Sequence, residues 1–187
     1  LVAVPRVFIA ADIYKKNEIL KIQHDLISYL NLERKDVKLV RQENFHFTLV
    51  FFGEINNSIL EKIVTKISGI EFQSFEIKYR MIGAFPNSKS AKVIWIGLDE
   101  ETRSPFNQMS YKVLSQLTDF ELKIEKEIIP HITLLRTKGA ALNLNLHSSS
   151  IMSNFTLIDK IDTISVKKSI TTPQGPIYEN IITVKGK

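Results

Sequence analysis

Two runs of this sequence, residues 45–52 and 128–135, are apolar and β-prone, and each carries the same pattern of His, apolar residue, Thr and Leu. They read His46-Phe47-Thr48-Leu49 and His131-Ile132-Thr133-Leu134. Successive side chains of a strand point to opposite faces, so residues i and i+2 share one. His46 and Thr48 therefore project together, with Phe47 and Leu49 on the other side, and the same holds for His131 and Thr133 against Ile132 and Leu134. Two imidazole–hydroxyl pairs on two strands can line one cleft from opposite sides.

The surroundings repeat as well. A strand is expected over 6–12, then a helix from Tyr14 whose apolar stripe runs Ile19, Ile22 or Gln23, Leu26, Ile27 and Leu30. The first motif strand follows. A second strand is expected over 91–98, then a helix opening at Thr102-Arg103-Ser104-Pro105 and burying Phe106, Met109, Val113, Leu114 and Leu117, then the second motif strand. The motif histidines are 131 − 46 = 85 residues apart, and Arg6 shifted by 85 falls on Ala91. This predicts an α+β fold of two similar lobes related by an approximate two-fold axis, with the motif strands meeting between them. No linker separates the lobes, so residues 1–187 are expected to form a single domain.

Elsewhere, Asn56-Asn57-Ser58 offers an N-cap for a helix with Ile59, Leu60, Ile63, Val64 and Ile67 on its buried side. Strands over 72–81 and 91–98 form a long-looped hairpin. Two further strands, over 156–167 and 176–184, are joined by a turn over 171–175. Residues 140–150 read equally as strand, short helix or loop. His24 and His147 are expected on the surface.

Composition narrows the chemistry. The 187 residues include no cysteine, which excludes a disulfide framework, a thiolate nucleophile and a Cys-ligated zinc. Glu43 and Glu127, near the histidines, stand at no spacing that completes a metal-ligand set. A net charge of +5 is compatible with a phosphate-bearing partner without demanding one. Residues 1–11 are apolar, but Pro5 and Arg6 interrupt them and Asp12 closes them, so no signal peptide is expected. No run approaches the ~18 apolar residues of a membrane span. A soluble, cytoplasmic monomer with no membrane partner is the expectation.

Imidazole, with an unperturbed pKa of about 6.5, is suited to moving protons near neutral pH. One histidine can accept a proton from an attacking water while the other donates to a leaving oxygen. Threonine hydroxyls beside them can donate to the non-bridging oxygens of a phosphoryl group as charge develops. Phosphoryl transfer is in line, so acid and base belong on opposite sides of phosphorus. Arg136, five residues after His131, points away from the histidine face of a regular strand. It reaches the site only if the strand ends or twists near Leu135.

These motifs resemble those of the two-histidine phosphoesterase superfamily, specifically the bacterial and archaeal RNA 2′,3′-cyclic phosphodiesterases, long called 2′-5′ RNA ligases. The likeness extends over nearly the whole chain. It takes in Arg41-Gln42-Glu43-Asn44-Phe45 before the first motif, Phe51-Phe52-Gly53-Glu54 after it, and Pro130 with Leu135-Arg136 around the second. Gly83-Ala84-Phe85-Pro86, Val93-Ile94-Trp95, Ser169 and Gly175-Pro176-Ile177-Tyr178 match too, while Gln42 stands where the family usually has Pro. The resemblance implies a bilobal fold with antiparallel sheets lining a central cleft and helices outside, and no metal or other cofactor. It implies His46 as general acid, His131 as general base, Thr48 and Thr133 on phosphate oxygens, and Arg136 on the phosphate. Phe8 is a candidate wall for the nucleoside and Lys89 a candidate backbone contact. The partner would be an RNA or nucleotide ending in a 2′,3′-cyclic phosphate, opened to a 2′-phosphomonoester. Two other readings are 2′-5′ RNA end joining by the reverse reaction, and a nucleotide- or RNA-binding module without turnover.

Overall fold

A computed structural model describes residues 6–120, 129–144, 157–173 and 175–187. The sequence forms two antiparallel sheets with flanking helices. β1 (Arg6–Ala11) is central in a four-stranded sheet of order β3-β1-β8-β9, where β3 is Phe47–Glu54, β8 Thr163–Thr172 and β9 Gly175–Lys185. Five strands make the second sheet, in the order β2-β6-β5-β4-β7: Val37–Leu39, His131–Thr137, Val93–Leu98, Phe75–Phe85 and Leu157–Ile161. β3 and β6, the two motif strands, pack against each other where the sheets meet.

The expected duplication holds residue by residue. In the first lobe Ala11 pairs with Phe47, Ala10 with Thr48, Ile9 with Val50 and Phe8 with Phe51, so Leu49 is an extra, bulged residue. In the second, Ile96 pairs with Ile132, Trp95 with Thr133, Ile94 with Leu135 and Val93 with Arg136, so Leu134 is extra. Every one of these pairs maps onto its counterpart by adding 85. A β-bulge places two residues opposite one and reverses the alternation beyond it. The bulge is thus part of what was duplicated.

Helices cover the outer faces. α1 (Lys16–Tyr29) buries Ile19, Ile22, Gln23 and Leu26, and α3 (Glu100–Ser115) buries Phe106, Met109, Ser110 and Val113. α2 (Asn57–Ser68) opens as expected, with the Asn56 side chain accepting from the Ile59 amide at 2.9 Å, and stops at Gly69. α3 begins earlier than the Pro105 signal suggested. Asp99 is its N-cap, accepting from the Thr102 amide at 2.8 Å, and Pro105 lies inside the helix.

Two strand expectations are corrected. The run expected over 156–167 is two strands in different sheets, β7 and β8, with the chain crossing at Asp162. The crossing is anchored: Asp162 accepts the Tyr14 hydroxyl through its carboxylate at 2.7 Å and the Gly186 amide through its carbonyl at 2.7 Å. The strand expected from residue 72 starts at Phe75, because Phe72 and Ser74 bond instead to Lys187 at the C-terminal end. Residues 140–144 lie outside the sheets except for a bridge from Leu142 to Ala91, and the rest of that segment, with His147, lies outside the described residues. His24 is exposed on α1.

Candidate active site

The site is built from the starts of β3 and β6. A 3-10 turn over Gln42–Asn44 leads into the first motif, and the Nδ1 of His46 lies 2.7 Å from the carbonyl oxygen of Asn44. The Nδ1 of His131 lies 2.8 Å from the carbonyl of Ile129, and 129 is 44 plus 85. A carbonyl can only accept, so each Nδ1 carries a proton and each neutral ring keeps its lone pair on Nε2. The Nε2 of His46 is 3.1 Å from the hydroxyl of Thr48. Both imidazoles are therefore fixed in the same tautomer by the backbone two residues upstream, a bond that orients the ring through Nδ1 and does not engage Nε2.

Aromatic rings support each imidazole. Phe8 and Tyr178 lie 5.0 and 5.3 Å from the His46 ring, centre to centre, and 4.9 Å from one another. Phe85 and Trp95 lie 4.9 and 5.9 Å from the His131 ring. The indole of Trp95 sits so close over Gly83 that a Cβ there would come within 2.2 Å of Cζ2, and one at Gly97 within 2.8 Å of Cζ3. Glycine at both positions is what makes room for the Trp95 indole beside His131, the two rings tilted by 52°.

His46, His131, Thr48 and Thr133 line one cleft of about 330 Å³. Arg136 lines it too, although a regular strand would turn this side chain away. The bulge at Leu134 supplies the missing half-step: Leu134 and Leu135 are both fully buried, and Arg136 returns to the face of His131 and Thr133. The same step in β3 brings Phe51 into the cleft beyond Thr48, where it is 62% exposed. Phe51 is absent from the sequence-derived candidates, yet adding 85 to its number gives Arg136. The offset itself was the available signal. Phe8 lines the cleft but is only 3% exposed, its ring packed against His46 and Tyr178, which leaves little surface for a nucleoside. Lys89 is exposed on the turn Ser88–Ser90 and is not among the cleft-lining residues.

Burial, the largest influence, holds the His46 imidazole down to about 4, and the ammonium groups of Lys167 and Lys16 add to the effect. The Asn44 carbonyl and the Asp12 carboxylate pull the other way. Lys167 is itself held by Asp12 at 2.8 Å and by the Asn180 side-chain oxygen at 2.7 Å. Among the described residues no group of three or more His, Cys, Asp or Glu is placed to hold a metal ion. No helix among them is long and apolar enough to cross a membrane.

Comparison with known proteins follows the same lines. Residues 18–95 match the model of the LigT-like phosphoesterase family. The chain is 34% identical over 149 residues to the RNA 2′,3′-cyclic phosphodiesterase of Archaeoglobus fulgidus, covering 78% of this chain and 81% of that one. It is 32% identical over 182 residues to the enzyme of that name from Methanocaldococcus jannaschii, covering 94% and 98%. Its fold is similar to that of E. coli LigT in apo form, with a TM-score of 0.71 at 19% identity over 98% of both chains. A protein of Thermus thermophilus aligns with a TM-score of 0.75 at 21% identity, over 96% of this chain and 97% of that one. The chain belongs to the two-histidine phosphoesterases, and within them to the LigT-like RNA 2′,3′-cyclic phosphodiesterase family. That membership supports an RNA 2′,3′-cyclic phosphodiesterase activity and an RNA substrate.

Proposed function

We propose that this protein hydrolyses 2′,3′-cyclic phosphate ends of RNA to 2′-phosphomonoesters, without a metal ion, by general acid–base catalysis with one histidine as acid and the other as base. The observation that carries the reading is the matched pair of Nδ1-to-carbonyl bonds at His46 and His131, which puts the lone pair of each ring on Nε2, in side chains that line one cleft. His131 accepts a proton from water as its oxygen attacks phosphorus. The bond from phosphorus to the 3′ oxygen breaks in line, and His46 donates the proton that this oxygen takes up. One water is consumed, and the product carries a 2′-phosphate and a free 3′-hydroxyl. Thr48 and Thr133 donate to the non-bridging oxygens, and Arg136 balances their charge.

The acid role of His46 requires a proton that the free protein does not hold at neutral pH, since its imidazole is held down to about 4. A bound phosphodiester anion supplies the opposite charge that raises it. An acid loaded by its own substrate is strong once formed and idle beforehand. The nucleobase of the terminal nucleotide stacks on Phe51, the exposed aromatic of the cleft.

E. coli LigT, similar in fold, has been crystallised with phosphate and with 3′-AMP. The test is product analysis on an oligonucleotide ending in a 2′,3′-cyclic phosphate, with excess chelator present. The reading expects a 2′-phosphate end. A 3′-phosphate end would reverse the bond assignment, joined product formed only with a 5′-hydroxyl partner would indicate ligation, and tight binding without turnover would indicate a binding module.

A further inference from the structure

The two lobes match until the last cleft-lining residue of each motif strand, where one has Phe51 and the other Arg136. The cleft therefore has an aromatic pole and a cationic pole. A nucleotide has the same polarity: a flat base, and a sugar-phosphate chain leading away from it. The cationic pole is larger than the cyclic phosphate alone requires. β2 adds to the edge of β6 with Lys38 directly opposite Arg136, so the two side chains leave one face of the sheet as cross-strand neighbours. Both line the cleft and both are exposed. Among the described residues neither has a carboxylate within ion-pairing distance, whereas neighbouring Arg41 is 3.6 Å from Glu43.

Lys38 also reaches the opposite sheet. Its Cε and Nζ would lie 3.9 and 4.0 Å from a Cβ at Gly175, the residue that opens β9 at φ +118, where glycine is favoured. The ammonium thus stands between the two sheets, one strand beyond Arg136. Cross-strand neighbours are about 5 Å apart at Cβ, on the order of one nucleotide step.

We propose that Lys38 binds the phosphate one nucleotide 5′ of the cyclic end, and so sets the preference of the site for an oligonucleotide over a cyclic mononucleotide. This rests on the reading of the cleft as a cyclic phosphodiesterase site. With the base at Phe51 and the reacting phosphate among His46, His131 and Arg136, the chain leaves past Lys38. Lys38 takes no part in the chemistry. Its contribution is a phosphate contact that only a substrate of two or more nucleotides can make.

The test compares a 2′,3′-cyclic mononucleotide with a short oligonucleotide carrying the same terminal nucleotide, over a range of salt. In wild type the slope of log kcat/KM against log salt is steeper for the oligonucleotide. Lys38→Ala is expected to raise KM for the oligonucleotide roughly 5-fold near physiological salt. It should also make that slope shallower by about 0.7, the value for one phosphate contact to a single strand. The kcat should stay unchanged, the mononucleotide should be little affected, and Lys38→Arg should restore oligonucleotide KM. Lys62→Ala, an equal charge change on α2, serves as the control for long-range attraction. Equal effects on both substrates, an oligonucleotide KM and slope that do not move, or the same change in Lys62→Ala would each overturn the proposal. Absence of turnover of either substrate by the wild-type protein would instead overturn the phosphodiesterase reading beneath it.

Discussion

The side-chain amide of Gln23 donates to the carbonyl of Leu134 at 2.7 Å and to that of Val40 at 2.8 Å, from a position 1% exposed. Leu134 is the extra residue of the bulge that returns Arg136 to the cleft. A helix on the outer face thus fixes the backbone irregularity on which the cationic pole depends. Gln23→Leu removes both bonds while the Leu134 carbonyl keeps the Val40 amide at 2.9 Å, so the stability cost should be about 1 kcal/mol. The substitution should also lower kcat/KM by about 10- to 100-fold as Arg136 loses its placement. Steady-state kinetics beside urea denaturation separates the two effects. A variant that loses stability but keeps wild-type kinetics would show that the bulge stands without Gln23.

The titration of His46 should be visible directly. Its imidazole is expected to titrate at about 4 in the free protein and to rise when inorganic phosphate or a 2′-nucleotide binds, as followed by NMR of the ring protons. A free-protein value near the ordinary 6.5 would contradict the effect of burial.

The same group links stability to acidity. Between about pH 6.5 and 4 the unfolded chain carries a proton on residue 46 that the folded protein excludes. Stability therefore falls as pH drops through that window, by about 3 kcal/mol in all, and no further loss from this residue follows below it. Above pH 6.5 the residue contributes no slope. His46→Ala should flatten the wild-type dependence over that range, measured as urea midpoints at pH 7 and 4.5.

Asp159 ties the lobes together. From β7, at 5% exposure, it accepts the amides of Tyr14 and Lys15 at the start of α1, its neighbour Lys160, and the buried hydroxyl of Tyr79. Asp159→Ala strands these donors and should cost about 3 kcal/mol or more. A urea midpoint that falls with an unchanged m-value would report that loss.

Gly83→Ala tests the support behind His131. The added methyl meets the indole of Trp95, the only tryptophan in the sequence, so its fluorescence reports the displacement directly. Overpacking of this kind costs about 1–3 kcal/mol. Activity should drop together with the emission shift, while an unshifted spectrum with normal activity would mean that the indole yields freely.

Much of this was legible in the chain because the two-fold repeat operates at the level of pattern. The helix stripes, the His-x-Thr strands and the 85-residue offset all depend on which side chains face inward, and facing is written in periodicity. The unread parts have physical reasons. Leu157, Asp159 and Ile161 alternate into the apolar run from Ile164, so nothing in the pattern marks the crossing at Asp162. That break is made by partners distant in sequence, Tyr14 and Gly186. A bulge likewise leaves no mark on composition, which is why strict alternation turns Arg136 the wrong way and gives Phe51 no place in the cleft. Gln23 was visible only as a polar residue within an apolar stripe, and its partner lies 111 residues away.

In the proposed mechanism the two imidazoles divide the proton transfers at phosphorus, His131 accepting one and His46 donating the other. Single-turnover hydrolysis of a 2′,3′-cyclic-phosphate-ended oligonucleotide, in excess chelator, tests it most directly across wild type, His46→Ala, His131→Ala and the double variant. The expected result is full wild-type turnover, a loss of about 10²–10⁴ in each single variant, and little further loss in the double, since the pair acts as a unit. Wild-type rates in either single variant, or turnover abolished by the chelator, would contradict it.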